Sequence, residues 1–252
     1  MPQKPFLILQ VRPETEAADD EFVALLDKGG LAVENVVRVR LDLDPAPDAA
    51  DLSDFAGIIV GGGPGCISDP PEKKTDVEAL MEARALEIMP RVIADDLPFL
   101  GCCYGIGTLA HALSGDVSQA RFGESVGPVT CHMTRDAADD PLCDGLPETF
   151  DAFVGHKEAV QALPPGSVHL AASETCPFQM IRYGANVYAT QFHPEADAAV
   201  FETRIRLYRN KGYFPPDEAD ALIARCNAAD VTIPERILAR LDPPIACDEA
   251  GQ

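Results

Sequence analysis

Apolar runs along this chain change character near its middle. Phe6-Leu-Ile-Leu-Gln-Val11, Phe55-Ala-Gly-Ile-Ile-Val60 and Leu97-Pro-Phe-Leu100 are short and nearly continuous, while Val36–Leu41, interrupted by Arg38 and Arg40, supplies a further strand. Runs of this length without alternation predict strands buried on both faces. Between them, Ala17–Asp27, stopped by Gly29-Gly30, and Thr75–Ala94 carry apolar residues at helical spacing. Strands alternating with helices predict an α/β fold, a mostly parallel central sheet with helices on both faces.

Past residue 113 the apolar segments shorten. Ser125–Met133, Phe150–Val154, Val168–Ala172, Gln179–Arg182 and Val187–Gln191 read as strands, and Glu195–Asn210 as a helix. In the last forty residues Pro215-Pro216-Asp217 is expected to cap a helix over Ala219–Asn227, and Pro234 to open another through Leu241. The expected organisation is a main domain over 1–212 and a helical extension over 213–252.

Charge narrows the partners. There are 41 acidic and 20 basic residues, a net charge of −21. That balance argues against nucleic acid or an anionic membrane surface, since both need basic patches. The eight cysteines include no C-x-x-C pair, so neither a structural zinc site nor any other metal or cofactor is expected. With no leader-like or membrane-length apolar segment, a reducing, cytoplasmic setting with free thiols is the economical expectation.

Candidate chemistry centres on Pro98-Phe-Leu-Gly-Cys-Cys-Tyr-Gly-Ile-Gly107, a strand running through a glycine-flanked turn into a helix. A nucleophile at such an elbow needs small residues two positions to either side. Cys103 has Gly101 and Gly105 there, whereas Cys102 has Leu100 and Tyr104. Cys103 is therefore the candidate nucleophile, and Cys102 reads as a small buried hydrophobe. A thiol attacks as thiolate, so a base is required. Among His111, His132, His156, His169 and His193, the last ends a strand in His-Pro-Glu, with Glu195 placed to fix its tautomer. Gly61-Gly-Gly-Pro-Gly65, after another strand, can aim N–H groups at an oxyanion together with the Tyr104 N–H. The rival reading, a phosphate cradle, lacks the Lys-Ser/Thr that would follow it.

Three motifs in this order resemble the class I (triad-type) glutamine amidotransferase family over roughly residues 5–210. They are Gly101-Cys-Cys-Tyr-Gly-Ile-Gly107 for Gly-x-Cys-x-Gly-x-Gln, Gly62-Gly63-Pro64, and Gln191-Phe-His-Pro-Glu195 for Gln-x-His-Pro-Glu. The glutaminase domain of GMP synthase is similar at Gly-x-Cys-Tyr-Gly, and Gly155-His156-Lys157-Glu158 stands where it has Ser-His-x-Asp. The resemblance implies a flavodoxin-like sandwich and a catalytic Cys103, His193 and Glu195. It also implies an oxyanion hole from Gly63 and Tyr104, and substrate contacts at Gly62, Gly105, Gly107, Gly155 and His156. The implied reaction takes glutamine through a cysteinyl thioester to glutamate and ammonia. Gly107 departs from the family, which has a substrate-holding Gln there. With only a short tail after the last motif, three outcomes stay open for the leaving group. Ammonia passes to a synthetase on a separate chain, or it is released freely, or the substrate is a γ-glutamyl peptide. A non-catalytic binding or regulatory subunit with the same fold is the alternative from outside enzymology.

Overall fold

A computed structural model describes residues 4–241. The first half alternates as read: β1 (Phe6–Gln10), α1 (Thr15–Gly29), β2 (Val36–Arg40), β3 (Gly57–Val60), α2 (Asp76–Glu87), α3 (Met89–Ala94), β4 (Phe99–Cys102) and α4 (Tyr104–Ala112). The second half holds β5 (Val117–Ser118), β6 (Glu124–Met133), β7 (Thr149–His156), β8 (Ala159–Val160), β9 (Ser167–Ser173), β10 (Met180–Tyr183) and β11 (Val187–Thr190). Three helices close the described chain: α5 (Ala198–Tyr208), α6 (Ala219–Asn227) and α7 (Thr232–Leu238).

Nine strands form one sheet in the order β2-β1-β3-β4-β11-β10-β9-β6-β7. The first five run parallel, and the remaining four pair antiparallel. Strand side chains alternate between faces, so β1 feeds two cores at once. Leu7 and Leu9 enter a cluster with Met81, Ile88, Val92 and Leu109 from α2, α4 and the α2–α3 region. Phe6 and Ile8 enter the opposite cluster with Leu25 of α1 and with Ile237 and Leu238 of α7. A third cluster joins Phe153 of β7 to Phe201 and Ile205 of α5 and Leu222 of α6. Residues beyond 212 thus supply buried side chains to two of the three clusters.

Several element boundaries differ from the sequence reading, each for a local reason. The expected single helix over 75–94 is two helices. Pro90 has no N–H, and its ring excludes the carbonyl four residues back, so α2 stops at Glu87 and Pro90 sits in the first turn of α3. The helix expected from Glu195 begins at Ala198, because the Asp197 carboxylate accepts from the Ala199 and Val200 N–H groups. That cap leaves Glu195 in the loop, free to turn towards His193. Asp217 does not cap α6; it lies inside a 3-10 turn, Pro216–Glu218, that leads into it. Helix α7 starts two residues before Pro234, which occupies its first turn. Residues 242–252, including Cys247 and the end of the expected extension, lie outside the described residues. The seven described cysteines are all free thiols. No helix among the described residues is long and apolar enough to cross a membrane.

Candidate active site

Ligand sites in open α/β sheets gather at the carboxyl ends of the parallel strands. Here Arg12 follows β1, Gly61–Gly65 follows β3, Cys103 follows β4 and His193 follows β11. Cys103, the N-cap of α4, occupies φ +52°, ψ −89°, one of four non-glycine residues at positive φ among the described residues. This strained geometry lifts the side chain above the sheet edge while its N–H donates to Thr190 O at 2.7 Å. The flanking glycines are required sterically. A Cβ on Gly101 would lie 2.6 Å from the Gly105 carbonyl, and one on Gly105 would lie 2.9 Å from Val60 O. Cys102 points the other way, fully buried with Leu100, Tyr188 and Phe192.

His193 shares a cavity with Cys103. Its Nδ1 lies 2.8 Å from Glu195 Oε1, and Arg204 Nη2 donates to the same oxygen at 2.8 Å. A carboxylate only accepts, so we assign the ring proton to Nδ1, which leaves Nε2 as the basic nitrogen. Arg204 Nη1 approaches Nδ1 from 3.0 Å. Phe201 packs edge-on against the imidazole, with ring centroids 5.6 Å apart.

The electrostatics follow from burial and these partners. Burial pushes the Cys103 thiol up to about 12, with Arg12 pulling down and Glu195 pushing up. Burial also lowers His193, opposed by Glu195 and reinforced by the Arg204 guanidinium. Glu195 is held far below the ordinary carboxylate range, because the charges of His193 and Arg204 outweigh burial. The resting pair is therefore a neutral thiol beside a neutral imidazole, and proton transfer must accompany attack.

Beneath the glycine loop lies a buried ionic network. Glu21, with no exposed surface, accepts from Arg12 Nε at 2.8 Å, Gln10 Nε2 at 3.0 Å and Gly62 N at 3.1 Å. With the Gly61 N–H donating to Leu9 O, the next N–H along is that of Gly63, which borders both cavities around Cys103. A Cβ on Gly63 would lie 2.5 Å from Val11 O, and one on Gly62 2.6 Å from His193 Cε1. The loop's glycines thus let the backbone pass directly under the site.

The second cavity lies on the other side of Cys103, lined by Tyr104, Gly107, Gly155, His156, Glu158 and Gln191 among others. Gly62 and Gly105 line neither cavity: Gly62 supports His193, and Gly105 seats α4 against β3. Gly107 faces Glu158, whose Oε1 would stand 3.1 Å from a Cβ there. The Glu158 carboxylate also accepts from Ile67 N, Ser68 N and Ser68 Oγ, tying the segment after the glycine loop to the second cavity. His156 stays out of the triad. Its Nε2 lies 2.8 Å from Glu124 Oε2 and its Nδ1 2.8 Å from Glu158 O, so it positions Glu158 from behind. Glu124, His156 and Cys176 bring three potential metal-ligand atoms within 4.8 Å of one another. Both Glu124 oxygens already accept hydrogen bonds, from Ser173 and Thr175 on one and from Gln179 on the other.

The sequence reading missed Arg12, Glu21, Arg204, Tyr208 and Tyr213. Arg12 carried a readable signal, being the first charged residue after a buried strand. Arg204 and Glu21 carried none, since a charge on an amphipathic helix ordinarily faces water.

The glutamine amidotransferase class-I family model matches residues 19–207, and the chain belongs to that family. The chain is 30% identical over 196 residues to GMP synthase [glutamine-hydrolyzing] of Thermosipho africanus, covering 73% of this chain and 34% of that protein. The corresponding protein of Thermosipho melanesiensis is also 30% identical, with the same coverage. The chain thus spans about a third of the length of these curated relatives. Among solved structures, a glutamine amidotransferase from Thermotoga maritima superposes with a TM-score of 0.66 at 18% identity, covering 94% of this chain and 99% of that one. One from Methylobacillus flagellatus gives 0.68 at 22% identity, covering 94% and 93%.

Proposed function

We propose that this chain hydrolyses the side-chain amide of glutamine through a thioester on Cys103, giving glutamate and ammonia. The observation that carries the reading is the strained Cys103 elbow in one cavity with His193, whose Nδ1 is bonded to Glu195. As the sulfur attacks the amide carbon, His193 Nε2 takes the thiol proton, and Glu195 stabilises the imidazolium as it forms. The carbonyl oxygen becomes negative and is met by the Gly63 and Tyr104 N–H groups, reinforced by the N-terminus of α4. His193 then returns the proton to the departing nitrogen. Water, deprotonated by the same imidazole, releases glutamate and restores the thiol. Gly107, Gly155 and His156 belong on this reading to the wall that receives the glutamyl group, and Gly62 and Gly105 to its support.

Ammonia and glutamate release from glutamine tests the proposal. Wild-type protein should produce both in equal amounts, and Cys103→Ala should produce neither. Turnover that survives Cys103→Ala would refute it, and no turnover by either protein would favour the non-catalytic subunit. A second reading, delivery of ammonia to a synthetase on a separate chain, is supported by the similarity to GMP synthases of which this chain spans about a third.

A further inference from the structure

The space beside Cys103 is too small for glutamine. The two cavities there measure about 50 and about 20 Å³. At roughly 10–15 Å³ for each water-sized group, they hold about three to five and one or two such groups. Glutamine has about ten non-hydrogen atoms, so it fits neither cavity, nor both together.

Gly63, Cys103, Gly155 and Tyr213 line both cavities. The first three belong to the sheet: Gly63 follows β3, Cys103 follows β4, and Gly155 lies in β7. Tyr213 comes from elsewhere, the connection between α5 and α6, beyond the residues matched by the family model. Its hydroxyl donates to Pro64 O at 2.5 Å, and its ring lies 5.9 Å from that of Tyr208. Lys157 Nζ stands 4.2 Å from the ring centroid. One aromatic side chain therefore bridges the α5–α6 connection and the glycine loop across the nucleophile.

The connection itself is lightly held. Residues 209–212 and 215–218 are exposed, and Tyr213 and Phe214 are half-buried. Among the described residues its backbone bonds are local: Lys211 N donates to Tyr208 O at 3.0 Å and Glu218 N to Pro215 O at 2.9 Å. Segments with few buried contacts and exposed backbone open at low free energy. Gly212, next to Tyr213, sits at φ +76°, and no atom lies within 4 Å of a Cβ there. The backbone conformation, not a lack of space, calls for glycine at this position.

We propose that the α5–α6 connection is an autoinhibitory strap: Tyr213 plugs the site, and substrate enters only when its ring swings away from Pro64. The closure of Cys103 stands on geometry alone, whereas glutamine as the excluded substrate rests on the thioester reading. A site that is open for a fraction of the time has its apparent affinity reduced by that fraction. Weakening the closed state therefore raises both access to Cys103 and kcat/KM.

N-ethylmaleimide, with about nine non-hydrogen atoms, is also too large for either cavity. Its rate of addition to Cys103, mapped by mass spectrometry, reads the open fraction in wild type, Tyr213→Phe and Gly212→Ala. The first variant keeps the ring and removes the hydroxyl bond, so labelling should quicken about 2- to 13-fold. The second disfavours the closed backbone without touching the site, and should quicken labelling about 5- to 30-fold. Cys131, fully buried in β6, should label no faster in either, which shows that the chain stays folded. Glutamine kcat/KM should rise by the same factors. Unchanged or slower labelling of Cys103 in either variant overturns the strap. So does equal acceleration at Cys131, or a fall in kcat/KM beside faster labelling. Faster labelling of Cys103 with no glutamine hydrolysis by any of the three proteins supports the strap and overturns the thioester reading.

Discussion

Replacing Gly101 by alanine tests whether the elbow sets the position of the nucleophile. The added Cβ would stand 2.6 Å from both the carbonyl carbon and the oxygen of Gly105. Ordinary contact begins at 3.4 Å, so strand β4 and the first turn of α4 must separate by about 0.8 Å. Both groups are backbone, and no side-chain rotation relieves the overlap. Overpacking of this kind costs about 1–3 kcal/mol. In a chain of this size each kcal/mol lowers Tm by about 2–4 °C, giving an expected drop of roughly 2–12 °C. Catalysis should suffer more. Cys103 is the N-cap of α4 and moves with it, and a misplacement of about 1 Å typically costs on the order of 100-fold in rate. Glutamine hydrolysis and thermal unfolding of Gly101→Ala should therefore show a rate loss near 100-fold beside a modest Tm loss. Gly65→Ala is the comparison, because its Cβ meets nothing nearer than Tyr104 Cε2 at 3.7 Å. It should stay within a few-fold of wild type. Gly101→Ala with an unchanged rate, or Gly65→Ala with an equal loss, would refute the steric reasoning.

Four further outcomes are expected. His193 must be neutral to accept a proton and its pKa lies below the ordinary 6.5, while the thiol is pushed up to about 12. The kcat/KM profile should fall only on the acid side of 6.5, and an alkaline inflection near 9 would contradict it. Arg204→Gln removes a cation that holds the His193 pKa down, so the acid limb should move to higher pH, with Arg204→Lys partly restoring it. Leaving Glu195 without that buried partner should also cost about 3–5 kcal/mol in urea unfolding; an acid limb that stays in place would exclude the assigned contact. His193, Glu195 and Glu124 all have lowered pKa values, so the unfolded chain binds protons first as pH falls. The urea midpoint should accordingly drop from about pH 6.5 downward, and a rise in acid would contradict this. Gly107→Gln alone should impair glutamine turnover by crowding Glu158. Adding Glu158→Asp should recover part of the loss, and strict additivity in this cycle would show the positions to be independent.

The elbow was legible because it rests on local rules. Glycine spacing selected Cys103, and the structure shows why Gly101 and Gly105 admit no Cβ. His193 and Glu195 were legible because Pro194 ends the strand and only one residue separates them from bonding distance. The ionic layer beneath was not legible. Arg204 reaches Glu195 across nine residues and Glu21 reaches Arg12 across a full helix turn and loop, and sequence carries no mark of which charges turn inward. Pro90 was readable as a helix break, yet the apolar periodicity on either side concealed it. The placement of Tyr213 was also invisible: it lines both cavities beside Cys103 and bonds Pro64 O, a contact between residues 149 positions apart.

Mapping a glutamine-derived diazoketone on the protein by mass spectrometry tests the central claim most directly. The reagent should add once, on Cys103, and excess glutamine should slow the labelling. An adduct on the neighbouring Cys102, or on neither thiol, would contradict the assignment of Cys103 as the nucleophile.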